Sequence, residues 1–213
     1  MDKAISLLWQ WCERYGITWS EDARNRFVRY TELLLHWQKQ TNLTGFSTPE
    51  GLVQELFIDS LQILRTGCVV SPLLDVGTGA GFPAVPIKIL RPEIEMILVE
   101  PRSKRYAFLQ IVNRELGFDG MKIIRGRIES VEVPVVPGMA VSKAFAPLPE
   151  WLELSRGWAQ RGAYIGCMVS KADWEAYDFA GSEYSLVSCI TEMNRVYAAL
   201  KADNLRCLDA CGQ

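Results

Sequence analysis

From about residue 72 onward, short apolar runs alternate with segments of helical spacing, and this alternation constrains the fold most. Residues 73–77 (LLDVG) have strand character and 83–91 (PAVPIKILR) are helical. Residues 95–100 (EMILVE) read as a second strand, followed by a helix over 104–116 that Gly117 ends. Further strands are expected at 122–126 (KIIRG), 139–146 (MAVSKAFA) and 162–170 (GAYIGCMVS), with helices at 148–160 and 171–179. Residues 185–190 and 195–201 look like a closing antiparallel pair. Strands that alternate with helices at this pace make an open, mostly parallel α/β sheet covered by helices on both faces.

The first seventy residues have a different pattern. Ser20 is placed to cap a helix beginning at Glu21, and Glu21 and Asp22 suit its positive N-terminal end. Phe27, Tyr30, Leu34 and Trp37 then recur on one face. Turn formers at 41–45 stop this helix. Thr48 caps another, with Pro49 in its first turn and a buried stripe of Leu52, Val53, Leu56, Phe57, Leu61 and Leu64. The chain therefore divides into a helical extension over 1–70 packed on the core, a core over 71–201 and a tail over 202–213.

Between the first strand and its helix lies Asp75-Val76-Gly77-Thr78-Gly79-Ala80-Gly81-Phe82. Ligands of such sheets bind outside the carboxyl ends of the strands, where glycines let the backbone approach closely. A nicotinamide fingerprint needs G-x-G-x-x-G, but the glycines stand at 77, 79 and 81 and that spacing puts Phe82 at the third position. A phosphate-binding G-x-x-x-x-G-K-[ST] loop is absent from the sequence as well. Glu100, at the end of the second strand, can accept hydrogen bonds from both hydroxyls of a ribose. Asp75 can face a cationic group or an amine. Together they suit a nucleoside that carries positive charge and no phosphate, which is S-adenosylmethionine.

The 213 residues are 49% hydrophobic and 23% charged, the balance of a folded soluble chain. No apolar run reaches the roughly 18 residues that a bilayer span requires, and the first sixteen residues read as an amphipathic helix and not a signal peptide. The cysteines are scattered without a C-x-x-C pair, as free cytosolic thiols would be. Cys207 and Cys211 share one face if helical, but two thiols with no histidine near them make a poor zinc site. The sole histidine, His36, lies in a helix and reads as packing or surface, so no metal site is expected.

Net charge is −2, which argues mildly against a polyanion partner. By segment the picture changes. Residues 84–127 hold nine basic groups against five acidic, while 128–213 hold seven against eleven. A basic stretch beside the glycine loop is what local contact with nucleic-acid phosphates requires. Solvated helix faces account equally well for Lys88, Arg91 and Arg114. Trp37, Trp151 and Trp158 sit on apolar stripes and read as core.

Several motifs occur in family order: Asn42-Leu43-Thr44, Asp59-Ser60, DVGTGAGFPAVPIKILRP, Glu100 with Arg102-Ser103-Lys104-Arg105, Gly126-Arg127-Ile128-Glu129 and Ser142-Lys143-Ala144-Phe145-Ala146. Across nearly its whole length the chain resembles the bacterial 16S rRNA guanine-N(7)-methyltransferase family, the RsmG/GidB type. The resemblance implies a class I S-adenosylmethionine-dependent methyltransferase: a Rossmann-like, mostly parallel seven-stranded sheet with an N-terminal helical extension. It implies methyl transfer from S-adenosylmethionine to nitrogen seven of a guanine in 16S rRNA, naked or within the small subunit. It further implies a cytoplasmic protein without membrane contact, here expected to be a monomer. By position, Gly77, Gly79, Gly81 and Phe82 would line the cofactor, Glu100 would hold its ribose, and Ile128 and Glu129 would flank its adenine. Lys143 would lie near both cofactor and target, and Asn42, Arg127 and Arg195 match functionally important polar positions.

Some motifs depart from that pattern. Glu55 and Leu56 stand where the family has an arginine and a histidine, Lys143 replaces the arginine of S-R-A-F, and the fifth strand lacks a terminal L-K-G. Lysine keeps the charge but loses the bidentate fork of arginine. The departures lie on the substrate side, which leaves two further readings: a methyltransferase acting on another RNA base or a small molecule, and a non-catalytic S-adenosylmethionine-binding module associated with RNA or ribosomes. Nitrogen seven carries a free lone pair, so no general base is needed, and Lys143 is better suited to hold a carboxylate or phosphate than to approach a purine that gains charge.

Overall fold

The computed structural model describes residues 1–41 and 43–203. Asn42 and the cysteine pair Cys207 and Cys211 lie outside the described residues. Helices α1 (Asp2–Arg14) and α2 (Glu21–Thr41) come first. Ser20 does cap α2, accepting the Ala23 N–H at 3.0 Å. Next comes α3 (Pro49–Leu52), capped by the Thr48 hydroxyl oxygen, which accepts the Gly51 N–H at 3.2 Å.

The path beyond α3 is less regular than the spacing predicts. A π-helical turn over Val53–Ile58 widens the helix before α4 (Asp59–Leu61), and a tight 3₁₀ turn (Gln62–Thr66) ends it. A π turn shifts the phase of the residues that follow it. Ile63 rather than Leu64 is consequently buried, and Asp59, Ser60 and Gln62 are drawn inside with it.

The sheet strands are β1 (Leu73–Val76), β2 (Met96–Glu100), β3 (Met121–Arg125), β4 (Met139–Lys143), β5 (Tyr164–Ser170), β6 (Tyr184–Glu192) and β7 (Arg195–Ala202). Their order is β3-β2-β1-β4-β5-β7-β6, with β7 antiparallel to both of its neighbours and the first five strands parallel. The connecting helices are α5 (Ala84–Leu90), α6 (Ser103–Leu116), α7 (Leu148–Ala159) and α8 (Lys171–Glu175). β4 stops at Lys143, short of the expected Ala146, because Ala144 turns into the left-handed region at φ 51°.

Alternate residues of each central strand enter different cores. Leu73, Met96 and Leu98 face a cluster that includes Leu8, Phe27, Phe57 and Phe108. Leu74, Val76, Ile97 and Val99 face another with Trp151 and Leu152. Burial on both faces is why these strands read as apolar runs broken only by Asp75 and Glu100. The first cluster joins the N-terminal helices to the sheet in one continuous core. No helix among the described residues is long and apolar enough to cross a membrane.

Candidate active site

The loop after β1 carries Gly77, Gly79 and Gly81 at φ 70°, 64° and 105°, conformations that side chains rarely adopt. At Gly81 the space is also filled, since an added Cβ would lie 2.5 Å from a Val85 methyl. Asp75 holds the loop from below. It is fully buried, and its Oδ2 accepts the Thr78 hydroxyl at 2.6 Å and the Ala84 N–H at 3.1 Å. Burial pushes its carboxyl up to about 7, against the lowering effect of those two donors. From α2, the buried Tyr30 donates its hydroxyl hydrogen to the Ala80 carbonyl at 2.7 Å.

A cavity of about 220 Å³ opens beside this loop at the carboxyl ends of β1 and β2, with Gly77, Pro101, Arg127, Ile128, Glu129 and Phe145 in its wall. A Cβ on Gly77 would come within 2.3 Å of the Phe145 ring, so only glycine leaves this wall open. Glu100 is 2% exposed, and its two oxygens accept the Gly79 N–H at 2.9 Å and the Arg102 N–H at 2.8 Å. Each oxygen keeps a further lone pair for a hydroxyl. A glycine wall with a carboxylate at the end of β2 fits the nucleoside of S-adenosylmethionine: Gly77 and Ile128 against the base, Glu100 for the ribose.

On the other side of β1, at the ends of β4 and β7, charges gather on one carboxylate. Asp59, from α4, meets Lys143 Nζ at 2.7 Å through Oδ2 and Arg195 Nε at 2.9 Å through Oδ1, and Tyr197 donates its hydroxyl hydrogen to Oδ1. The two cations attract the carboxylate as ion pairs without hydrogen-bond alignment. The ammonium also sits 5.5 Å above the Phe82 ring. Burial draws the Lys143 pKa down and the charge of Asp59 opposes that shift. Tyr197 is pushed well above the usual phenol range, first by burial and then by Asp59.

Cations line the same rim. Arg102, Lys104 and Arg105 begin α6 and border a basic cleft of about 380 Å³. Arg125 and Arg127 follow at the end of β3, and none of the five is in an ion pair among the described residues. Lys88, Arg91 and Arg114 do not belong with them. Lys88 is buried and donates to the Pro92 and Ile94 carbonyls, both at 2.7 Å, while Arg91 and Arg114 pair with Glu93 and Glu115.

Residues 23–205 match the GidB family, described as rRNA small subunit methyltransferase G. The chain belongs to the rRNA small subunit methyltransferase G family. Proteins of that name include one from Myxococcus xanthus, 32% identical over 78% of this chain and 77% of its own length. Another, from Caldanaerobacter subterraneus subsp. tengcongensis, is 33% identical over 82% of this chain and 76% of its own. Among solved structures, P. horikoshii TYW2 in complex with MeSAdo superimposes with a TM-score of 0.53 at 15% identity, covering 68% of this chain and 64% of that one. A Streptococcus agalactiae protein of the NADB-Rossmann superfamily gives 0.53 at 15% identity, over 68% and 67%. These two likenesses concern the fold alone.

Within this methyltransferase family member, the site residues expected from sequence fall into separate groups. Gly77, Arg127, Ile128 and Glu129 line the cavity, and Glu100 is buried beside it, tied to the Gly79 N–H. Lys143 and Arg195 meet at Asp59, where the lysine holds a carboxylate as expected. Two expectations need correcting. Asp75 does not face a ligand amine: it shares the strand face of Leu73, points at the helical extension, and spends its carboxylate on the loop backbone. Phe82 does not line the cavity: it is 8% exposed and packs against Tyr30 and Phe57. Sequence reasoning did not find Tyr30, Tyr197, Phe145 or the role of Asp59. The Asp59-Ser60 motif was the available signal, and it gave no hint of a partner.

Proposed function

We propose that this chain transfers the methyl group of S-adenosylmethionine to nitrogen seven of a guanine in 16S rRNA, acting in the cytoplasm as a monomer. Family membership supports the reaction. The observation that carries it for this chain is one rim on which a cavity walled by Gly77 and Gly126, with the buried Glu100 beside it on the loop, adjoins Arg102, Lys104, Arg105, Arg125 and Arg127, none of them in an ion pair among the described residues. A nucleoside and a polyanion can dock there side by side.

When bound, S-adenosylmethionine supplies an electrophilic methyl on a sulfonium. The protein's part is to bind and orient. Glu100 accepts hydrogen bonds from the ribose, and Gly77 and Ile128 bound the base. The rim cations hold RNA phosphates, and holding both partners in register can remove roughly 7–11 kcal/mol of barrier. Nitrogen seven needs no proton removed, so Lys143 acts by charge on Asp59 and not as a base.

The test is incubation with labelled S-adenosylmethionine and either 30S subunits or naked 16S rRNA from cells lacking the endogenous activity, followed by mapping of 7-methylguanosine. Label on another base, or on neither RNA despite cofactor binding, would overturn this reading. The first outcome favours the divergent methyltransferase, to which Glu55, Leu56 and Lys143 point. The second favours the non-catalytic module.

A further inference from the structure

Asp59 is an unusual residue to bury. It is 8% exposed and lies in the helical extension, far in sequence from the strands that carry its partners. Yet its carboxylate meets groups from two strands: Lys143 at the carboxyl end of β4, and Arg195 and Tyr197 on β7. A buried carboxylate normally needs one cation for neutrality. Here there are two, so the cluster carries one net positive charge.

The surplus belongs to Arg195. The Lys143 side chain is 10% exposed and bounded by Asp59 and the Phe82 ring, whereas that of Arg195 is 37% exposed. Arg195 uses Nε on Asp59, and Nη2 donates to the Met168 carbonyl at 3.4 Å. Its Nη1 has no partner among the described residues. The ion pair at Nε and the hydrogen bond from Nη2 hold one side of the guanidinium, and the 37% exposure of the side chain leaves its Nη1 edge open to a ligand. Arg195 starts β7 opposite Ser170, so it lies at the carboxyl end of the parallel strands, as Glu100 does, with β1, β4 and β5 between their two strands.

We propose that Asp59 is a positioning residue: it clamps Lys143 and Arg195 into one buried unit so that the free edge of Arg195 binds a single phosphate of the RNA substrate. The inference rests on the RNA methyltransferase reading above. The cofactor's own carboxylate is the other anion of matching chemistry, and its distance from this edge is the point to test. Lys143 serves as the second counter-charge that keeps the carboxylate from swinging wholly onto Arg195. A fixed fork loses little freedom when it takes up a phosphate, which makes arginine suited to the task.

The experiment measures methyl transfer to 30S subunits or 16S rRNA, and the affinity for S-adenosylhomocysteine, for wild type, Asp59→Asn, Asp59→Glu, Arg195→Ala and the Asp59→Asn/Arg195→Ala double variant. Asp59→Asn and Arg195→Ala should each raise the KM for RNA about tenfold, with kcat and the Kd for S-adenosylhomocysteine within about threefold of wild type. Asp59→Glu should recover part of the loss. The double variant should be no worse than Arg195→Ala alone, because clamp and fork act as one element. Arg195→Ala should also flatten the log–log salt dependence of RNA binding by about 0.7, the release expected for one single-strand phosphate.

Additive losses, or a salt slope unchanged in Arg195→Ala, would overturn the inference. So would a loss confined to S-adenosylhomocysteine affinity, which assigns the edge to the cofactor. Should Asp59→Asn fail to fold, the half-exposed Arg195→Ala still decides through its salt slope. Wild-type protein that methylates neither RNA overturns the functional reading instead.

Discussion

The Tyr30 hydroxyl lies 2.7 Å from the Ala80 carbonyl oxygen, joining the second helix to the middle of the glycine loop. Tyr30 is fully buried, its ring stacks on Phe57, and its hydroxyl stands 3.1 Å from where a Gly81 Cβ would be. The loop is therefore shaped from both sides, by its own glycines and by a residue of the helical extension.

Tyr30→Phe keeps the ring and leaves the Ala80 carbonyl without its buried partner. Such an orphan costs about 1–3 kcal/mol. Urea unfolding should show a loss of that size, and calorimetry should show weaker S-adenosylhomocysteine binding, since the loosened loop is the binding wall. Unchanged affinity in a destabilised variant would separate the brace from the site.

Gly77→Ala meets two obstacles, a left-handed backbone that costs roughly 1–2 kcal/mol for an ordinary residue and the Phe145 ring 2.3 Å from the new methyl. S-adenosylhomocysteine binding should fall at least tenfold. Adding Phe145→Ala removes the contact but not the backbone strain, so stability should return in part only. Full recovery would mean that strain at residue 77 is negligible.

The buried Asp75 makes stability fall as pH rises. Its folded pKa is about 7 against an ordinary 3.8, so between those values the folded chain keeps a proton that the unfolded chain has released. This contribution is fully present below about pH 4 and is lost progressively as pH rises to about 7, at a slope of up to about 1.4 kcal/mol per pH unit. Asp75→Asn, which cannot titrate, should lack that slope. Urea unfolding of both proteins at several values between pH 5 and 8 gives the comparison, and parallel curves would disprove it.

Arg102, Lys104 and Arg105 border one cleft at the start of α6. Replacing all three with alanine should leave stability within about 0.5 kcal/mol of wild type, since Arg102 and Lys104 are exposed, Arg105 is half-buried, and none is in an ion pair among the described residues. RNA affinity should drop, with a salt slope shallower by about 2 on single-stranded RNA. Filter binding across a salt series provides the readout. An unchanged slope would move the RNA path elsewhere.

The strand–loop–helix unit was legible in the sequence because its signals are local. The β1 and β2 strands are buried throughout and apolar but for Asp75 and Glu100, since both faces are covered, and the glycines mark conformations that other residues rarely adopt. The aim of Asp75 was not legible. On a strand buried on both faces, neighbouring apolar residues do not reveal which side a polar one takes. Asp59 was hidden for another reason: Tyr197, its partner, is 138 residues away, and no local pattern encodes a contact at that separation. The π turn that rotates Asp59 inward likewise breaks the spacing from which burial was read. Lys88 was ambiguous because a buried ammonium satisfied by carbonyls and a solvated one have the same neighbours in sequence.

The continuous core shared by the extension and the sheet has a consequence for the order of events during synthesis. Tyr30, Phe57 and the rest of the first helices leave the ribosome before the glycine loop does, and they present an oily surface with no partner until β1 and α5 follow. The cofactor loop then closes onto a support already made. A chain begun at residue 71 would make the same loop with nothing beneath Ala80 and Phe82, and would expose the aromatic floor of its own site to water.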